Sequence, residues 1–223
     1  MSIDINVCLT VERRPRKGRL GMRVTKAQAE QNRAHIVATA ARLFRERGYD
    51  GVGVAELMAA AGFTHGGFYK HFRSKADLMA EASASGLSQT AARTEGVDPA
   101  EFVENYVSRE HRDGRSDGCT IAALSGDAAR QSADIKTEFA AGIESLLTAL
   151  QTQRATAEDA DQRATRTMVI DMLAHSVGAV MLSRACPDGS PLADEILDVC
   201  RQEILASLAH DTTDQLMARS PEA

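Results

Sequence analysis

The sequence predicts an all-α protein of about nine helices in two parts, and three observations lead there. The 223 residues include no tryptophan, three tyrosines and five prolines, while alanine and leucine abound; small or unbranched side chains lose little rotamer freedom in a helix. Apolar residues recur at i, i+3 and i+4 in one segment after another, the mark of helices with one buried face. Charge is divided along the chain: residues 1–82 hold 14 Lys and Arg against 8 Asp and Glu, a net of +6, and residues 83–223 hold 12 against 23, a net of −11. A basic head on an acidic body suits a molecule whose one end meets phosphate. The expected organisation is a flexible basic arm over 1–24, a three-helix head over 25–82, a helical body over 83–212 and a tail over 213–223.

The arm carries Arg13-Arg14-Pro15-Arg16-Lys17-Gly18-Arg19, a run that repels itself. It reads as a segment reaching along a DNA groove, as a solvated tail, or as sequence ahead of a true start at Met22. From Lys26 to Arg47, Ile36, Ala40, Leu43 and Phe44 fall on one helical face, with Arg33, Arg42, Arg45 and Arg47 on the others. Gly48 stops this helix. Val54, Leu57, Met58 and Ala61 give a short second helix closed by Gly62, and a short third begins after Thr64. Two short helices joined by a glycine-containing turn, after a longer amphipathic one, outline a helix-turn-helix. In the third, Phe68 and Phe72 stand i, i+4 and dock inward, turning His65, Gly66, Tyr69 and Lys70 outward. Ser74-Lys75-Ala76-Asp77 is a capping box, so a fourth helix runs from there to about Ser88.

In the body, Pro99 opens a helix to about Arg109, residues 112–118 form a loop, and a helix follows from about Cys119 to Gln131. Ile135, Phe139, Ile143, Leu146 and Leu150 mark the next. Two strongly apolar helices come last, over 163–184 and 192–209, separated by the turn Cys186-Pro187-Asp188-Gly189-Ser190-Pro191.

The stretch Gly62-Phe63-Thr64-His65-Gly66-Gly67-Phe68-Tyr69-Lys70-His71-Phe72-Arg73-Ser74-Lys75 resembles the recognition-helix signature of the TetR family, and Ala40 to Gly51 looks like the end of that family's first helix. The resemblance covers residues 30–82. It implies a TetR-like fold with a DNA-binding head, a variable ligand-binding body, and a homodimer built from the last two long helices. One position departs from the pattern: Gly53 stands before helix two, where the family often has Ser or Thr, so a hydroxyl for a phosphate is missing.

The resemblance also carries Tyr69 and Lys75 as phosphate-contacting positions, and a phenol and an ammonium beside a helix N-terminus suit a phosphate oxygen. Thr64 caps helix three, offers its hydroxyl to the DNA backbone, or both. His65 and Lys70 reach for base edges, Lys70 with a phosphate contact as its alternative. Gly66 and Gly67 permit close approach, and His71 is a packed or phosphate-facing imidazole. For the ligand, His111 stands before the glycine-rich loop, Met172 and His175 share an apolar helix, and Cys119 begins a helix. Each has a plainer reading as core, and Cys119 in particular is either a dipole-activated thiol or a small buried hydrophobe.

These readings imply a ligand-responsive transcription regulator, a repressor released from its operator by a small molecule. Its partners are then duplex DNA, an effector and a second copy of the chain. The alternative is an adaptor that keeps the head as a protein-interaction module without a small-molecule ligand. No GxSxG, HExxH, P-loop or dinucleotide motif anchors an enzyme, and Cys8, Cys119, Cys186 and Cys200 show no metal-ligand spacing, so neither cofactor nor metal is expected. With no signal peptide and no apolar run of about 20 residues, the protein is expected in the cytoplasm, without a membrane partner.

Overall fold

Nine α-helices and one short 3-10 helix, with no strand, account for the elements among the described residues 25–151 and 159–218 of the chain, seen in a computed structural model. Helix α1 (Lys26–Arg47) starts under Thr25, whose hydroxyl accepts from the Gln28 amide at 3.2 Å, and ends where Gly48 takes φ +74°. Its inward face is Ile36, Val37, Ala40, Leu43 and Phe44. Helix α2 (Val54–Ala60) buries Leu57 and Met58 beneath it.

The third element differs from the expected α-helix: His65–Lys70 winds as a 3-10 helix. Its ladder is i to i+3, with the Gly67 amide on the Thr64 carbonyl and the His71 amide on that of Phe68, both at 2.9 Å. Two adjacent glycines, each disfavoured in an α-helix by about 1 kcal/mol against alanine, leave too little propensity for the wider winding. Phe68 and Phe72 are buried all the same, each contributing about 1.5–3 kcal/mol of apolar transfer.

Helix α3 (Lys75–Thr94) runs past the expected stop at Ser88. Gly86 is no terminator: a Cβ there would stand 2.4 Å from the Thr120 hydroxyl, so the glycine admits α6 against α3. Gly142 does the same for α7, where a Cβ would meet Leu87 at 2.6 Å. The expected boundary at residue 82 therefore lies inside one continuous helix shared by head and body.

The helix expected over 99–109 is two: α4 (Pro99–Tyr106) and α5 (Arg109–Asp113). Ser108 breaks it, accepting from the His111 amide at 3.1 Å and donating to the Asn105 carbonyl at 2.7 Å, the local bonding by which serine competes with a helix ladder. Arg112 and Asp113, expected in the loop, thus belong to α5. Helices α6 (Thr120–Ala128), α7 (Ala133–Gln151), α8 (Asp159–Ala185) and α9 (Pro191–Ala218) complete the body, α9 continuing through part of the expected tail. The arm over 1–24 and residues 219–223 lie outside the described residues.

Within α8, residues 162–185 are long and apolar enough to cross a membrane by length and composition, although Arg163, Arg166, Asp171 and Arg184 interrupt the apolar run. Val169, Met172, Leu173 and Val180 pack instead against Leu197, Ile204 and Leu208 of α9. The pair leaves Ile170, Met181, Leu182, Leu192 and Val199 exposed.

Candidate nucleic-acid interface and cavity

What the recognition segment buries fixes what it shows. With Phe68 and Phe72 inward, their ring centres 5.5 Å apart, Thr64, His65, Gly66, Tyr69 and Lys70 are all exposed, Tyr69 at 71%. His71 is half-buried, its ring 6.2 Å from that of Phe63. Arg33 of α1, expected merely on a polar face, locks the segment from behind: its guanidinium lies 4.3 Å from the centre of the Phe72 ring and donates to the His71 carbonyl and to Glu81. Thr64 is the N-cap residue, yet its hydroxyl makes no capping bond.

Lys75 stands at the start of α3 with Nζ 2.5 Å from the Tyr49 carbonyl. An ammonium has three donors, so this bond orients Lys75 and leaves two for another acceptor. Ser74 caps as expected, accepting from the Asp77 amide at 3.1 Å, while Asp77 reaches back to the Arg73 amide at 3.1 Å, one residue earlier than the expected partner. Gly53 heads α2 without a side-chain cap, and a Cβ there would meet nothing within 4 Å. A phenol, an ammonium and an imidazole on one rigid face, beside the positive end of a 20-residue helix, make a donor surface suited to phosphate oxygens.

The second feature is a cavity of about 240 Å³ between α3, α4, α5 and the loop into α6. His111 and Cys119, two of the expected ligand residues, line it together. His111 Nδ1 lies 2.7 Å from the Tyr106 carbonyl and Nε2 lies 3.1 Å from the Cys119 amide. The amide can only donate, so Nε2 accepts and Nδ1 carries the proton. The imidazole thereby ties α4 to the N-cap of α6. The Cys119 thiol is buried.

Burial holds the His111 imidazole below its ordinary value of 6.5, the Arg184 charge adding to this against the opposing bond to Tyr106. The unfolded chain therefore takes up a proton near pH 6.5 that the folded protein resists. This cost is absent above that pH and grows as pH falls through it. The melting temperature is expected to drop more steeply between pH 6.5 and 5 in the wild type than in His111→Gln; equal slopes by scanning calorimetry refute the assignment.

Met172 and His175 are not brought to this cavity. They face a cleft of about 60 Å³ between α8 and α9, Met172 buried and His175 exposed. Reading the sequence missed Tyr106, Arg93 and Arg45. Tyr106 stands i+4 from Phe102 on the short helix α4, the one signal that pointed to it.

Comparison with known proteins agrees with this geometry. Residues 36–82 match the sequence profile of the bacterial regulatory proteins of the tetR family. The chain is 42% identical over 59 residues to the HTH-type transcriptional regulator AcrR of Shigella flexneri, covering 26% of this chain and 27% of that protein. It is 33% identical over 115 residues to the HTH-type transcriptional repressor DhaR of Mycobacterium sp. (strain GP1), covering 48% and 57%. The chain thus spans from about a quarter to just over half the length of these two relatives. Among solved structures, a TetR transcriptional regulator from Chloroflexus aurantiacus superposes with a TM-score of 0.60 over 82% of this chain and 96% of that one, at 23% identity, a likeness of fold.

Proposed function

We propose that the chain is a DNA-binding transcription regulator of the TetR family whose grip on an operator is released by a small molecule held in the body. Residues 25–82 are its head, with Tyr69, Lys75 and the Thr64 hydroxyl on phosphates, His65 and Lys70 on base edges, Gly66 at close approach and His71 against the backbone. Residues 83–212 form the ligand-binding and pairing domain, and two chains join through α8 and α9, whose exposed apolar residues a partner would cover. The heads then meet half-sites about 34–36 Å apart, or a multiple of that.

One observation carries this reading: the wall of the cavity is bonded to the head. Arg45 near the end of α1 donates to the Ser116 carbonyl at 2.8 Å, in the loop that closes the cavity, and Asp127 of α6 accepts from the Tyr49 amide at 3.1 Å. Helix α6 thus begins at the cavity and ends against the turn that follows α1. A ligand that shifts α6 has differential affinity for two head positions, which is what release requires.

The test is fluorescence anisotropy of the purified chain on duplex from upstream of its own gene, with sedimentation to give its oligomeric state. A dimer whose affinity falls about 10³–10⁵-fold between 50 and 200 mM salt is expected if 6–10 phosphates are engaged. A monomer whose retention ignores salt overturns the reading and leaves the adaptor.

A further inference from the structure

Three arginines converge on the cavity without an acid to meet them. Arg93 lines its mouth, Arg45 holds the closing loop, and Arg184 donates to the His111 and Arg112 carbonyls at 2.8 and 2.9 Å behind the wall. Among the described residues, none of the three forms an ion pair with a carboxylate. The single acid of the lining, Asp117, is exposed, and its backbone carbonyl, 3.4 Å from Arg93, is the group that arginine touches. His111 adds no negative charge. Asp117, whose charge acts on Arg45, is thus one acid against three arginines, and the field inside is net positive.

A second observation is independent of charge. The Tyr106 hydroxyl is buried and has no hydrogen-bond partner, though Tyr106 is one of the cavity walls. An unsatisfied buried polar group of this kind costs about 1–3 kcal/mol. Burial, with the Cys119 sulfur as its polar neighbour, raises the phenol well above its ordinary value, so it stays a neutral donor whose nearest acceptor is a weak one.

The remaining wall is aromatic and apolar. Phe102 and Tyr106 lie with ring centres 5.0 Å apart, Tyr106 and His111 with theirs 4.4 Å apart, and Val97 completes the side. At about 240 Å³ the space equals about eight waters, below the roughly 300–1,000 Å³ of sites for drug-sized molecules. A single ring fits, since a cavity of about 150 Å³ already holds benzene.

We infer that this cavity takes a small monocyclic aromatic carboxylate, its ring among Val97, Phe102 and Tyr106, its carboxylate accepting from the Tyr106 hydroxyl in the field of Arg93 and Arg184. The inference rests on the effector-release reading above and gives the effector its chemical class. The carboxylate completes the phenol and neutralises the excess charge in one step, which neither a neutral ring nor a bare anion does.

The experiment is isothermal titration of the full-length chain with benzoate, benzylamine and inorganic phosphate. Expected is one benzoate site per chain with a Kd below about 1 mM, no saturable heat with benzylamine or phosphate, and at least tenfold weaker benzoate binding in both Tyr106→Phe and Arg93→Gln. Tyr106→Phe is also expected to melt higher than wild type without ligand, because it removes the orphan hydroxyl, so weaker binding there cannot be blamed on misfolding. Benzylamine or phosphate binding as tightly as benzoate, or Tyr106→Phe binding benzoate unchanged, overturns the inference. Anisotropy on the upstream duplex with the same preparation separates the two claims: salt-sensitive DNA retention without benzoate binding sinks the ligand class alone, and loss of DNA retention sinks the regulator reading.

Discussion

Arg112→Ala is expected to lower the stability of the chain by about 3–5 kcal/mol, the range for removing one partner of a buried, fully bonded charge. Arg112 is 1% exposed, the most enclosed charged side chain among the described residues. Its Nε donates to the Ser183 hydroxyl at 3.0 Å and its Nη2 to the Ser183 and Cys186 carbonyls at 3.1 and 3.3 Å, while Nη1 meets Asp113 at 2.5 Å and Asp188 at 3.4 Å. The fork of a guanidinium thus fastens α5 to the end of α8 and to the turn before α9. Alanine would leave the Cys186 carbonyl without this donor and a void where the side chain lay. Arg112→Lys keeps the charge but not the fork, so an intermediate loss is expected. For a chain of this length the alanine variant should melt about 6–20 °C lower, and it should dimerise more weakly, because the clamp sets the mutual pose of α8 and α9. Denaturant titration and sedimentation of the two variants test this; a loss below about 1 kcal/mol would falsify the clamp.

Arg112 also marks where reading the sequence reached its limit. The head was legible because its signals are local: the Gly48 stop, the Phe68–Phe72 spacing and the Ser74 cap each act within one turn of chain, and α1 has the bounds the pattern predicts. The recognition segment was legible as an element but not in its winding, since adjacent glycines shift a short helix between two ladders of similar energy. The stop expected near Ser88 failed because the role of Gly86 in admitting Thr120 is a contact across 34 residues, which no local pattern shows. The cavity was half legible. His111 and Cys119 are only eight residues apart in the chain and so fall together, but Tyr106, Arg93 and Arg184 reach it from α4, α3 and α8. Met172 and His175 do fall together, but at a separate cleft between α8 and α9, with Met172 buried in the packing and His175 exposed. Arginine gave the weakest signal of all: Arg33 and Arg45 read as charges on the outer faces of α1 and Arg112 as the start of a loop at a ligand entrance, and each turns out to hold backbone carbonyls across the fold.

On the recognition face, a pair of variants divides phosphate contact from base readout. Tyr69 is exposed and its ring packs edge-on at 5.3 Å against Phe68, so Tyr69→Phe keeps the fold and deletes one hydroxyl. Each head of a dimer loses that donor, and with about 0.5–1.5 kcal/mol per bond the two together should weaken operator binding by about 5–150-fold. No charge changes, so the slope of log affinity against log salt stays where it was. Lys70→Ala removes one positive charge per head, and the slope should fall by about 2 for the dimer. If Lys70 also donates to a guanine edge, the variant binds operators changed at that base as well as the original, a loss of discrimination of about 1–3 kcal/mol per half-site. If it touches phosphate only, every sequence weakens alike. Anisotropy titrations at four salt concentrations, on the operator and on one with a single base pair changed in each half, read all of these at once. The face is disproved as a DNA surface if both variants bind within twofold of wild type at every salt, because Tyr69 and Lys70 are held outward by the buried Phe68 and Phe72 and their polar groups have no hydrogen-bond or ion-pair partner among the described residues.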